Sequence, residues 1–457
     1  MTRQLWKEKN AAWGAHRGMN ATRLTALSFG VVILSGTLLL LLPWMSRSGE
    51  SAGLLVSLFT ATSATCVTGL ALTDTLSQWS LAGQAVILCM IQLGGLGFMT
   101  VYTLLLTFFR REILLSQRLM LASSLGLQGT GGVVRLVRHA LLGTAILEGA
   151  GALILSCFFV PRFGLLRGIW HAVFHSVSAF CNAGFDLMGP QGGNLAVLAD
   201  RPVVLAVHGA LVVLGGLGFF VWEDIYRQRQ WKKFSLYTRM VLEMTAFLIL
   251  AGWLYFLLAE WGNPATLGRM AAGDKVVNAL FQSVTLRTAG FSSFPQGGLR
   301  ESSQVMCLLL MFIGGSSGST AGGVKTVTVL ALAAALRSAL RGRQTVTFRG
   351  RTIPARQVFN AFALTITVLV TALFCAMAIS LWEGASFLSV LYEVTSAVGT
   401  VGLSTGLTGS LSAGSCLLII ALMYLGRVGI LSFSLAFMIP KGGGDKLRYP
   451  TCDVMIG

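Results

Sequence analysis

The chain has 457 residues, of which 54% are hydrophobic and 11% charged, against about 25% charged in an ordinary soluble domain. So few polar residues leave too little surface for water, which excludes a soluble enzyme and a disordered chain. The net charge of +17 sits in short basic segments between apolar runs, not on a nucleic-acid-binding face, so this is a polytopic membrane protein with lipid around it.

A basic tail, 1–21, comes first. Apolar stretches able to cross a hydrocarbon layer, which takes roughly 20 residues, follow near 22–43, 80–108, 135–160, 202–222, 237–259, 302–335, 358–382 and 414–438. The first has the basic flank of a signal peptide but no Ala-x-Ala site, so it stays as a span. Within each successive pair lies a shorter apolar piece, too short to cross, which reads as a re-entrant helix. The units run 22–111, 112–227 with its preceding cytoplasmic loop, 228–350 and 351–440, and a tail, 441–457, ends the chain. Of 34 basic residues, 24 fall in 3–23, 110–138, 227–239, 337–356 and 441–448. The positive-inside rule puts those five segments, and both termini, in the cytoplasm. Eight cysteines form no CxxC or His–Cys cluster and read as buried thiols, without zinc or redox chemistry.

The four short pieces resemble one another: Phe59-TATSATCVTGL, Phe174-HSVSAFCNAGF, Phe281-QSVTLRTAGF and Tyr392-EVTSAVGTVGL. Their turn glycines, Gly69, Gly184, Gly290 and Gly402, are spaced by 115, 106 and 112 residues. A second echo follows each, as LGGLGF at 93–98 and 214–219, IGGSSG at 313–318 and LGRVGI at 425–430, lying 25, 31, 24 and 24 residues beyond the turn glycine. Each echo alone reads as close helix packing through small residues. Two markers in phase through four units imply an all-α membrane protein of four tandem helix–pore-helix–helix repeats, with eight transmembrane helices around a central pore of fourfold pseudosymmetry.

Non-helical backbone at membrane depth must be buried or line an aqueous path. Four such turns about one axis would present main-chain carbonyls able to replace the hydration shell of a cation. The preceding short helices would aim the negative ends of their dipoles at the same centre. Thr68, Thr288 and Thr400 are expected to support the turns through their hydroxyls, and Asn182 through its amide.

The segments Cys66-Val67-Thr68-Gly69, Cys181-Asn182-Ala183-Gly184, Arg287-Thr288-Ala289-Gly290 and Gly399-Thr400-Val401-Gly402 resemble the pore loops of the Trk/Ktr/HKT superfamily of potassium transporters. The similarity spans essentially the whole chain. It is greatest to the KtrB type, because the first repeat begins near residue 22 and the ending LRYP-TCDVMIG is similar. The resemblance implies a homodimer in the bacterial cell (inner) membrane, regulated by a cytosolic KtrA-like nucleotide-binding RCK subunit. It implies a selectivity filter that passes K+ at the four glycines, with no organic cofactor on this subunit. Cys66 and Cys181 depart from the Thr and Asn expected of the family, and silver or mercury is expected to block flux through them.

The stretch 314–326 is rich in Gly and Ser and suits no comfortable helix. The resemblance makes Gly314, Gly315, Ser316, Ser317, Gly318, Ser319, Thr320, Gly322, Gly323 and Lys325 an intramembrane gating loop. Val324 spoils the near match to a phosphate-binding GxxxxGK[ST], and a plain packing kink is the bland alternative. Arg427 replaces an echo glycine and is expected near the axis as a positive barrier touching that loop, with a buried ion pair as its bland alternative. Arg287 is expected to form a salt bridge behind the filter, with Glu393 a candidate partner. Glu148 and Glu243 read as paired or interfacial acids, and as ligands only if transport is coupled to sodium or protons. His171 and His175 read as packing groups. The chain has no HExxH motif and no clustered acidic pair with a histidine, so no enzyme activity is expected.

Overall fold

The computed structural model describes residues 21–97, 133–189 and 194–429. The C-terminal tail 441–457, with Cys452 and the family-like ending, lies outside them, as do the N-terminal tail up to residue 20 and residues 98–132.

The same order of helices recurs along the chain. A long helix, a short helix, a turn and a second helix appear first as α1 (Ala21–Leu40), α2 (Leu54–Thr65), the single turn α3 (Thr75–Gln78) and α4 (Leu81–Leu96). They return as α5 (Val133–Phe163), α6 (Leu165–Phe180) and α7 (Pro202–Leu217), the last followed by α8 (Phe219–Gln228). A third set is α9 (Leu236–Glu260), α10 (Ala272–Thr285), α11 (Glu301–Phe312) and α12 (Thr326–Leu340). After a small hairpin, β1 (Thr347–Phe348) with β2 (Arg351–Thr352), come α13 (Ala355–Glu383), α14 (Phe387–Gly399) and α15 (Ala413–Val428).

Side-chain chemistry explains which helices face outward. The long helices expose large apolar residues, such as Val31, Leu34 and Leu38 on α1, Leu250, Leu254 and Leu258 on α9, and Phe362, Val370 and Phe374 on α13. These faces suit lipid. The short helices are rich in Ser, Thr and Ala and lie inside: Phe59–Thr65 on α2 and Tyr392–Gly399 on α14 are buried without a break. Polar helices surrounded by apolar ones reverse the soluble pattern, and a bilayer favours that reversal. Capping side chains start several helices, as where Ser80 accepts from Gly83 N–H, Ser235 from Thr238 N–H and Ser412 from Ser415 N–H.

Four described helices, α1, α5, α9 and α13, are long and apolar enough to cross a membrane, and a fifth span is α7 with α8 if that pair, bent by 92°, counts as one. This is fewer than eight uninterrupted runs. Within the stretches expected at 80–108, 202–222 and 414–438 the helices end at Gly97, Gly218 and Gly429, whose φ values are +79°, +93° and +91°; 98–108 and 430–438 lie outside the described residues. The stretch at 302–335 breaks into α11 and α12 around a non-helical segment, Ile313–Lys325. Apolar composition continues through each break, so hydropathy alone does not reveal it.

Candidate functional site

All four turns leave their short helices in the same way. The residue two before each glycine, Val67, Asn182, Thr288 and Thr400, has φ between +51° and +67°, and the glycines themselves lie between +70° and +97°. Side-chain-bearing residues rarely take such angles, so repetition at equivalent positions marks a built feature.

The turns converge. A Cβ placed on Gly69 would lie 2.6 Å from the Ala183 carbonyl, one on Gly184 3.0 Å from Ala289 O, and one on Gly290 2.5 Å from Val401 O. On Gly402 it would run into the Thr68 carbonyl, closer still. Each glycine therefore abuts the carbonyl that precedes the next glycine, and the fourth turn returns to the first. Beyond one side of this ring lies a cavity of about 210 Å³ lined by all four glycines and by Asp74, Asp186, Asn194, Ser292 and Ser404. Burial pushes the Asp186 carboxyl up to about 7; the Met188 N–H opposes this and the nearby Asp74 carboxylate adds to it.

Two of the three expected hydroxyls do not hold the turns. Among the described residues, Thr68 and Thr400 have buried hydroxyls without a hydrogen-bond partner, whereas that of Thr288 meets the Asn182 amide of the neighbouring turn. Ser63 instead accepts from Gly69 N–H and Ser396 from Gly402 N–H, both at 3.0 Å. Ser178 donates to Phe185 O at 2.7 Å and Thr285 to Phe291 O at 2.5 Å. These four residues lie in the short helices, six residues before the glycine in three units and five in the third. That recurring hydroxyl was the available signal. Asn182 does support its turn: its amide nitrogen faces the Ala179 and Val212 carbonyls at 3.1 and 3.2 Å, which leaves its oxygen toward Thr288 Oγ1.

On the other side of the ring, the segment Ile313–Lys325 is docked onto broken helix ends. Ser316 N–H and Thr320 N–H donate to Gly216 O and Gly215 O at 3.1 and 3.3 Å, and the Ser316 hydroxyl to Leu217 O. The Thr320 hydroxyl donates to Phe180 O at 3.2 Å and Tyr237 OH to Ser317 O at 3.0 Å. Gly322 sits directly against Thr400, whose side chain a Cβ there would displace. Lys325 turns back onto the Ala321 carbonyl at 2.7 Å. Arg427 donates to Thr320 O, and also to Gly94 O and Gly95 O at 2.5 and 3.2 Å, so it touches both this segment and the end of α4.

Arg287 is not paired with Glu393. Its Nη2 donates to Gly314 O at 3.3 Å, while Nε and Nη1 are buried without partners among the described residues. Glu393 is saturated by Ser404 Oγ at 2.8 Å, by the Thr405 N–H and hydroxyl at 2.8 and 3.0 Å, and by Thr408. The other acids take local partners. Gln92 donates to Glu148 at 3.1 Å, and Arg349 of the hairpin reaches Glu243 at 2.7 Å. Cys66 and Cys181 cap α2 and α6 and are wholly buried, with the Cys181 thiol against Gln92 and Glu148.

Among known proteins, the family model described as TrkH, cation transport protein, matches residues 2–444. The chain is 39% identical to the potassium/sodium uptake protein NtpJ of Enterococcus hirae, over 96% of this chain and 98% of that protein. It is 40% identical to the Ktr system potassium uptake protein B of Bacillus subtilis, over 95% and 96%. A solved structure, that of the potassium transporter TrkH from Vibrio parahaemolyticus, shares the fold with a TM-score of 0.73 at 18% identity, covering 93% of this chain and 86% of that one.

Proposed function

From the premise that the chain belongs to the TrkH family of cation transport proteins, and is a multi-pass membrane transporter and not an enzyme, we propose that it carries potassium into a bacterial cell through the ring of four turns. The observation that carries this reading is the closed contact of Gly69, Gly184, Gly290 and Gly402 with one another's neighbouring carbonyls. Uncharged carbonyl oxygens arranged in such a ring can replace the water of a monovalent cation, and the four short helices add the negative ends of their dipoles. The membrane potential drives entry, worth about 2.3 kcal/mol per charge per 100 mV. The relatives named for potassium uptake support the choice of ion.

In this reading the four repeats form a pseudosymmetric filter, Ile313–Lys325 obstructs the path below it, and Arg427 places a fixed positive charge beside that obstruction. The chain acts as a homodimer with both termini cytoplasmic, and a cytosolic nucleotide-binding RCK subunit moves the loop. Uptake of radioactive rubidium by a potassium-transport-deficient bacterium tests the filter. Substitution Gly69→Ser is expected to lower potassium preference over sodium, and unchanged preference would overturn the assignment. Sodium-coupled transport is the second reading, favoured by the half-buried Glu148, whose carboxyl accepts from Gln92 and Cys181. A flux independent of any sodium gradient, in the wild type and in Glu148→Gln, would remove it.

A further inference from the structure

Two histidines lie wholly buried outside the ring, His175 in α6 and His208 in α7. Their partners fix their protons. The Leu187 amide only donates, so His175 Nε2, 3.1 Å away, is an acceptor and carries no hydrogen. His175 Nδ1 therefore keeps its proton and donates to His208 Nε2 at 3.2 Å. The remaining hydrogen, on His208 Nδ1, goes to the Val204 carbonyl at 2.8 Å. Both rings are neutral, and all four nitrogens are satisfied.

This relay runs from the body of α7 to Leu187, in the segment that leaves the second turn just beyond Gly184. The same rings also support the third turn. Phe291, which follows Gly290, stacks on His175 with centroids 6.2 Å apart and meets the edge of His208 at 5.4 Å. One buried pair thus braces the outer ends of two adjacent turns.

The internal repeat supplies an independent check. His175 is the residue after the leading aromatic of its motif, and its equivalent in the fourth unit is Glu393. Glu393 accepts from Thr405 N–H, the amide at the same distance past Gly402 as Leu187 is past Gly184. A neutral imidazole and a carboxylate, chemically unlike, perform the same task at matching positions. Gln282 in the third unit is paired with Gln296 of the segment after its turn, at 2.7 Å.

We propose that His175, held in one tautomer by His208, is a positioning residue for ion selection, fixing the outer ends of the second and third turns as Glu393 fixes that of the fourth. The inference rests on the ring of turns being the filter. Protonating His175 would set an Nε2–H against Leu187 N–H, and protonating His208 would set its Nε2–H against His175 Nδ1–H, so the pair works only when neutral. It is enclosed by Phe159, Phe174 and Phe291, with His171 across Phe159 and Asp186 next to Leu187 as the further titratable groups around it.

The test exploits the two nitrogens separately, in the full-length chain in proteoliposomes, reading rubidium uptake in competition with potassium and sodium. In His175→Gln the amide oxygen stands near the Nε2 position and keeps an acceptor for Leu187. In His175→Asn the amide reaches only the Nδ1 position and loses it. His175→Asn and His208→Leu are expected to reduce discrimination of potassium over sodium by about five- to tenfold, the range one net hydrogen bond supplies, with maximal flux largely kept. His175→Gln is expected to stay near wild type. Wild-type discrimination in His175→Asn, or equal loss in the Gln and Asn variants, would overturn the proposal. If His175→Asn does not elute as a folded species from size exclusion, His208→Gln against His208→Leu decides in the same way, since only Gln restores an acceptor to His175. The control Gly184→Ser separates the premises: if it too leaves discrimination unchanged, the filter reading fails, and if it alone changes discrimination, the histidine inference fails.

Discussion

Arg287 donates to the carbonyl of Gly314, which ties the residue ahead of the third turn to the start of the segment that interrupts the third unit's second span. At the other side of that segment Arg427 donates to Thr320. Two guanidinium groups therefore grip one Gly/Ser-rich loop. Among the described residues Arg287 has no carboxylate partner and leaves two buried nitrogens unpaired, a costly arrangement for a charge.

Replacing Arg287 by Leu is therefore expected to leave thermal stability unchanged or raised while loosening the loop. Basal rubidium uptake, measured without any stimulating partner, should rise several-fold. A hydrogen bond from a charged group is worth about 1.5–3 kcal/mol, enough to shift a closed loop toward an open one. A fall in melting temperature with unchanged basal flux would show that Arg287 serves packing alone.

The four ring glycines should not be equally sensitive. An added Cβ meets the neighbouring carbonyl most closely at Gly402, then at Gly290 and Gly69 at 2.5 and 2.6 Å, and least at Gly184 at 3.0 Å. All four also have φ angles that alanine adopts only at a cost of about 1–3 kcal/mol. Alanine variants are expected to lose flux in that order, with Gly402→Ala the most damaged. Residual transport ranked the opposite way would mean that the turns relax independently of one another.

Asp186 lines the cavity over the ring, with its carboxyl pushed up to about 7 chiefly by burial. Raised from the usual value near 4, it is neutral below that point and ionised above it. Acidifying the medium on that side from pH 8 to 6 should thus remove a negative charge from the ion's approach and lower uptake at subsaturating potassium. Asp186→Asn should be slow at both pH values and show no inflection. An inflection that persists in the variant would assign the titration to another group.

Cys66 and Cys181 are wholly buried, and neither lines the cavity above the ring. Silver or mercury applied outside is expected to inhibit the wild type and a Cys66→Thr, Cys181→Asn variant alike. Selective protection of the variant would show that the turns open widely enough to bare these thiols.

The glycine phase at 69, 184, 290 and 402 was legible because no other residue fits between a turn and its neighbour's carbonyl, so sequence spacing reports geometry directly. The loop at 313–325 was legible from composition, since Gly and Ser at that density suit no helix. The breaks at Gly97, Gly218 and Gly429 were hidden by apolar residues on both sides, where hydropathy carries no information on φ. The pairing of Arg287 with Glu393 was drawn from opposite charge alone. It failed because Ser404, Thr405 and Thr408 satisfy the carboxylate locally, and such short-range capping is invisible until the segment after the turn has been placed. Ser63, Ser178, Thr285 and Ser396 were passed over because hydroxyls abound in these motifs and only three-dimensional contact singles out one per unit.

The contact between Gly402 and Thr68 has a bearing on how the protein is made. It joins the fourth unit to the first, so the ring stays incomplete until the ribosome has produced the fourth turn. Nascent protein threading into the bilayer thus holds three sides of a ring and no closed one, and closure waits on the arrival of the fourth.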